Sequence, residues 1–136
     1  MPLTSGALGR VSLFADLKPK ELDRLLRSFR ERACAPGDVV MTEGSTGTGF
    51  YVIESGTAVV VRGGKEVARL GPGDTVGEIA LIDGGTRTAT VTAETELRCH
   101  GLTAWDFRGI AESDARISWA LVQALARRLR EAQLDD

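Results

Sequence analysis

A chain of 136 residues is long enough for one domain with a usable core, and its 43% hydrophobic and 26% charged content is that of an ordinary globular protein. A net charge of −2 excludes a field suited to non-specific nucleic-acid binding, and no apolar run approaches the roughly 20 residues that span a bilayer. With no secretory signal, Cys34 and Cys99 are expected as two unpaired thiols in a cytoplasmic protein.

The 16 glycines lie between short apolar runs, a pattern of turn-rich β structure rather than of a helical bundle. Residues 1–12 show no period and read as a flexible, frayed lead-in. Val11, Leu13, Phe14 and Leu17 then give a short apolar patch, and Pro19 suits the first turn of the next helix. Leu22, Leu25, Leu26 and Phe29 recur at helical spacing, which predicts an amphipathic helix from Pro19 to about Arg30. Beyond Phe29 the period changes. Strand-like runs at 39–42, 50–53, 57–61, 65–70, 88–93 and 96–102 are separated by turn signals such as Pro36-Gly37-Asp38, Gly63-Gly64 and Gly71-Pro72-Gly73-Asp74. Such closely spaced short strands predict a sandwich or jelly roll. The last third is helical again. Thr103 is the expected N-cap of a helix through Trp105, Phe107 and Ile110, and Ser113 or Asp114 that of a longer one. In the longer helix Ile117, Ala120, Leu121, Ala124, Leu125 and Leu129 form one apolar face, expected as core, with a dimer seam as the alternative. Arg127, Arg128 and Arg130 are expected at a solvated helix end, where positive charge suits the dipole. The order of elements is α+β, with residues 13–136 as a single domain.

The stretch from Gly77 to Arg87 carries the candidate chemistry. Gly77 has no side chain to keep a ligand from the backbone, and Glu78, ionised, is an acceptor suited to a vicinal diol. Residues 79–83 suit one helical turn whose first amides have no internal partner, and Ala80 leaves room for an anion before them. Gly84-Gly85 reverses the chain, Arg87 brings a planar fork suited to phosphate, and Thr88 adds a hydroxyl. Two readings fit this spacing. It is a site for a small ligand bearing phosphate and ribose, or it is an ordinary bend in which Arg87 pairs with Glu78.

Gly77-Glu78-Ile79-Ala80-Leu81, followed by Arg87-Thr88-Ala89-Thr90-Val91, resembles the phosphate-binding cassette of the cyclic nucleotide-binding domain family. That family includes the bacterial catabolite activator protein and the regulatory parts of cyclic-nucleotide-dependent kinases and channels. Pro36-Gly37-Asp38, the run 50–53 with Ser55-Gly56, and Leu70-Gly71-Pro72-Gly73-Asp74 are similar to its usual turns, so the likeness runs from about Leu13 to Leu129. The resemblance implies an eight-stranded β jelly roll with an N-terminal helix, a short cassette helix and two C-terminal helices. It implies that Glu78 takes the ribose 2′-hydroxyl and Arg87 the exocyclic phosphate oxygens. The Gly77 and Ala80 backbones complete the cradle, and Ile79, Thr88 and Ala89 complete the ligand-binding set. A threonine at 88 resembles cGMP-responsive kinases but also occurs in cAMP-binding relatives, and cAMP is favoured over cGMP as the ligand. Val76 and Thr86 depart from the commoner Phe and Pro at their positions. Relatives cover the base with the last helix or a segment beyond it, and no residue here is assigned to the base.

Other chemistries find too few residues. A cupin-like metal site needs several histidines, and His100 is the only one. Cys99 and His100 are strand neighbours that point to opposite faces, so they form no catalytic pair. Gly63-Gly64-Lys65 lacks the remainder of a P-loop. The expectation is therefore a non-catalytic, stand-alone cyclic-nucleotide sensor whose C-terminal helices move with the ligand, without direct nucleic-acid or membrane contact. Its output passes to a second copy in a homodimer or to an effector protein in trans. The alternatives are an interaction protein of the same fold with a vestigial pocket, or a regulatory fragment of a larger enzyme, channel or transcription factor.

Overall fold

The computed structural model describes residues 3–46, 49–78 and 80–134. Among the described residues, eight strands form two four-stranded antiparallel sheets, as expected for a jelly roll. They are β1 (Arg30–Cys34), β2 (Val39–Met41), β3 (Gly49–Ser55), β4 (Ala58–Arg62), β5 (Lys65–Leu70), β6 (Thr75–Val76), β7 (Thr90–Ala93) and β8 (Leu97–Thr103). One sheet has the order β1-β8-β3-β6 and the other β2-β7-β4-β5. Strand alternation splits the apolar residues between two cores. Cys34, Ile53, Ala58, Val76, Val91, Ala93 and Leu97 fill the space between the sheets. Phe50, Val52 and Leu102 join the helices in a second cluster. There Phe14 meets Phe50 edge-on at 5.8 Å and Phe107 at 6.3 Å.

Among the described residues, five helices and one 3-10 turn build the second layer: α1 (Ser5–Leu8), the turn Ser12–Phe14, α2 (Pro19–Leu26), α3 (Ala80–Asp83), α4 (Ala104–Ser113) and α5 (Ala115–Leu134). Local capping explains their starts. Glu21 reaches back to the Lys18 N–H at 2.8 Å, with Pro19 at the first position of α2. Thr103 Oγ1 accepts from the Asp106 N–H at 3.0 Å, and Asp114 Oδ1 accepts from the Arg116 N–H at 3.0 Å, so Asp114 rather than Ser113 starts α5.

Several expectations are corrected. Within residues 1–12, expected as a frayed lead-in, Thr4 caps α1, Leu8 is fully buried, and Val11 joins Leu13 and Phe14 in the helical core. Helix α2 ends at Leu26, and Arg30 already belongs to β1. The expected helix through Trp105, Phe107 and Ile110 is α4, and Trp105 is 82% exposed on it, because residues two apart on a helix lie about 200° apart. In α5, Ile117, Ala120, Leu121 and Ala124 are core, but Leu129 is exposed. Cys34 and Cys99 are free and buried, and burial pushes the Cys99 thiol up to about 11. No helix among the described residues is long and apolar enough to cross a membrane.

Candidate ligand-binding site

The chain from β6 through α3 to β7 borders a cavity of about 660 Å³, whose opposite wall is β4 and β5. It brings together Gly77, Glu78, Ala80, Arg87, Thr88 and Ala89 from the expected set. Ile79, the seventh, lies outside the described residues.

Arg87 is among the residues that line this cavity and is fixed through both its backbone and its side chain. Its backbone N–H donates to the Ser45 carbonyl at 2.9 Å, its carbonyl accepts from the Gly44 N–H at 2.8 Å, and Thr86 bridges Thr46. Its side chain is drawn inward until the residue is only 6% exposed, and Nη2 donates to the Gly49 carbonyl. Nη1 is buried with no partner among the described residues. Burial pulls the guanidinium below its ordinary pKa, partly offset by the neighbouring Tyr51. Gly77 makes this placement possible. Its φ of +84° suits only glycine, and a Cβ there would run into Arg87 Nη1 and stand 2.7 Å from the Gly49 carbonyl oxygen.

Glu78 does not pair with Arg87. Its Oε1 accepts from the Leu13 N–H at 3.0 Å and from Arg128 Nη1 at 2.7 Å, which leaves Oε2 without a partner among the described residues. The structural pair weighed from spacing is therefore absent, and the carboxylate is tied to the N-terminal layer and to α5 instead. Helix α5 crosses close to this corner, because Arg127 also pairs with Asp16 at 2.5 Å. The basic cluster expected as a solvated helix end is thus in part a docking device. Asp83 Oδ1 accepts from the Gly85 N–H at 2.8 Å and closes the turn after α3.

The far wall is apolar, with Val60, Val67, Ala68 and Leu70 facing the cassette, and Arg62 at the end of β4. Arg62 Nε donates to the Thr88 carbonyl at 3.2 Å. Sequence reasoning missed Leu13, Gly49, Arg62 and Arg128. Two of these act through backbone groups, which carry no side-chain signature, while the Arg127-Arg128 pair was visible as a cluster but had no assigned partner. His100 lies on β8 with Nε2 3.7 Å from Glu54 Oε1, away from the cavity lining. No cluster of metal-binding side chains is found among the described residues.

The arrangement offers an anion a buried, underused guanidinium, and offers a hydroxyl a half-occupied carboxylate. A family model described as a cyclic nucleotide-binding domain matches residues 31–114. The chain is 34% identical over 128 residues to the cyclic AMP receptor protein of Thermus thermophilus, covering 90% of this chain and 59% of that protein. It is 41% identical over 95 residues to a cAMP-dependent protein kinase regulatory subunit of Yarrowia lipolytica, covering 68% of this chain and 25% of the relative. Among solved structures, the N-terminal domain of a transcriptional regulator from Streptomyces coelicolor A3(2) superposes with a TM-score of 0.85 at 36% identity, covering 93% of this chain and 94% of that one. The chain thus spans less than two thirds of the length of both curated relatives.

Proposed function

The chain belongs to the cyclic nucleotide-binding domain family, and we propose that it is a non-catalytic sensor or regulatory module that binds cAMP in preference to cGMP. The observation that carries the reading is Arg87 Nη1, a buried donor without a partner among the described residues, packed against Gly77 in the residues that line the cavity. Leaving such a group unsatisfied costs about 1–3 kcal/mol or more, and an exocyclic phosphate oxygen supplies the missing acceptor. Gly77 and Ala80 line the phosphate, with Thr88 and Ala89 beside it, and Glu78 takes the ribose 2′-hydroxyl on its open oxygen. The preference for cAMP draws on the relatives, two of which carry that nucleotide in their names. The module works in the cytoplasm, where its two thiols stay reduced.

Signal leaves the pocket through Arg128. The ribose and α5 share one carboxylate, so ligand at Glu78 changes the hold on α5, and it shifts the helix only insofar as it binds one arrangement better than the other. The outward stripe of α5, Trp119, Val122, Ala126 and Leu129, recurs at the three-four spacing of a coiled-coil seam. That spacing supports a second copy of the chain as the receiver, joined through a symmetric helix pair.

A double-mutant cycle tests the site. Affinity for cAMP and for 2′-deoxy-cAMP is measured on the unsubstituted chain and on Glu78→Gln. Each single change is expected to weaken binding roughly tenfold, and the two together no more than one alone. Fully additive losses would show that Glu78 and the 2′-hydroxyl do not meet.

A further inference from the structure

Tyr51 and Arg32 line no part of the cavity of about 660 Å³, yet a chain of contacts leads from them to its buried guanidinium. Tyr51 and Gly49 share one face of β3, and the register sets Tyr51 between Gly101 on β8 and Val76 on β6, the residue before Gly77. The Tyr51 ring leans over Gly101, where a Cβ would stand 2.7 Å from its Cε1. Its phenol end lies against Gly49, whose notional Cβ is 3.5 Å from both Cζ and Oη. Arg32 clamps the ring from β1, on the other side of β8. Its Cζ lies 5.5 Å from the ring centroid, and its Nη1 donates to Tyr51 Oη at 3.3 Å. The same guanidinium donates to the Val40 and Val39 carbonyls at 3.5 and 3.4 Å, which ties Tyr51 to β2 in the opposite sheet.

The chain of contacts ends at Arg87. The Gly49 carbonyl accepts from Arg87 Nη2, and it is the one acceptor for that side chain among the described residues. A planar fork held by one arm can pivot about that bond, so the direction of the Gly49 carbonyl decides where the free Nη1 points. Tyr51 and Arg87 also line one smaller cavity of about 260 Å³ beside β2, with Gly49 between them. Resting on the cyclic-nucleotide reading above, we propose that Tyr51, clamped by Arg32, is a positioning residue for phosphate binding. It buttresses the Gly49 carbonyl and through it aims Arg87 Nη1 at the exocyclic oxygens. The hydroxyl is the part that matters, because it takes the Arg32 bond and reaches Gly49, while the ring alone would still cover Gly101.

Tyr51→Phe and Arg32→Met each remove the bond between hydroxyl and guanidinium while keeping most of the side-chain bulk. Equilibrium titrations with cAMP and with its two phosphorothioate diastereomers are made on the unsubstituted chain, on each variant, and on each variant combined with Arg87→Gln. Melting temperatures are taken alongside as a check on folding. Sulfur replaces a different exocyclic oxygen in each diastereomer, so their affinity ratio reads how firmly the guanidinium is aimed. Each variant is expected to weaken cAMP binding roughly fivefold, to bring the diastereomer ratio closer to one, and to add nothing in the Arg87→Gln background. A lowered melting temperature with an unmoved ratio would make the pair structural only. A loss of affinity that persists in the Arg87→Gln background would route the effect around Arg87. Either result overturns the proposal and leaves nucleotide binding standing. Absence of cAMP binding by the unsubstituted chain would overturn the cyclic-nucleotide reading and this proposal with it, so the two failures are distinguishable.

Discussion

Gly77→Ala probes the geometry of the site at its tightest point. The substitution acts twice. A Cβ on a backbone at φ +84° enters the left-handed region, which costs an ordinary residue roughly 1–2 kcal/mol. It also meets Arg87 Nη1 and lies 2.7 Å from the Gly49 carbonyl oxygen, so the guanidinium must leave the carbonyl it is bonded to. Losing that charge-assisted hydrogen bond adds about 1.5–3 kcal/mol. Gly73→Ala separates the two effects, because Gly73 has φ +89° but nothing within 4 Å of its notional Cβ. The expected loss is roughly 1–2 kcal/mol for Gly73→Ala and roughly 2.5–5 kcal/mol for Gly77→Ala. At roughly 3–5 °C per kcal/mol, the two melting temperatures should separate by about 5–15 °C. Thermal melts read the stability and calorimetric titration with cAMP reads the site. Gly73→Ala should bind normally and Gly77→Ala should not. Equal destabilisation of the two variants, with binding kept in both, would refute the claim that Gly77 makes room for Arg87.

Further outcomes follow from the other contacts. Arg128→Ala should cost only about 1 kcal/mol of stability, since its side chain is 37% exposed, yet it should abolish the ligand-induced change in amide exchange along α5; an undiminished change would sink the coupling through Glu78. Burial holds the Cys99 thiol at about 11, above the ordinary 9.0 of a solvated thiol in the unfolded chain, so its contribution is complete below pH 9 and is lost as pH rises toward 11. That loss is on the order of 2–3 kcal/mol, and denaturant melts of Cys99→Val should show a flatter profile over this window, whereas an unchanged slope would contradict it. Replacing Trp119 and Leu129 together by Ser should leave the fold intact and shift sedimentation from dimer to monomer; a monomer before substitution would reject the helix seam.

The strands were legible because their limits are chemical. Gly37, Gly63, Gly64 and Gly73 all adopt positive φ at the turns their neighbours announced, and Thr103 caps α4 through its own hydroxyl. The cassette residues were legible for a related reason: they lie within 13 positions, Gly77 to Ala89, and their side chains name their chemistry. What completes the site comes from far along the chain. Leu13 reaches Glu78 across 65 positions, Arg128 across 50, Gly49 reaches Arg87 across 38 and Arg62 reaches Thr88 across 26. No local period encodes such pairings; they exist only once two sheets and the helical layer have closed. The same holds for the first dozen residues. Leu8 and Val11 have too short a run to show a period, and burial against α2 and the 3-10 turn, not propensity, gives them structure.

The central claim is that the underused Arg87 guanidinium captures a cyclic phosphate. Isothermal titration of the unsubstituted chain with cAMP and with cGMP, repeated on Arg87→Gln, tests it most directly. Saturable binding of both nucleotides by the unsubstituted chain is predicted, cAMP more tightly, with a weakening of both on the order of a hundredfold in Arg87→Gln, within the range of one charge-assisted hydrogen bond. No heat with either nucleotide from a folded, unsubstituted chain, or equal affinity in the folded Arg87→Gln variant, would contradict it.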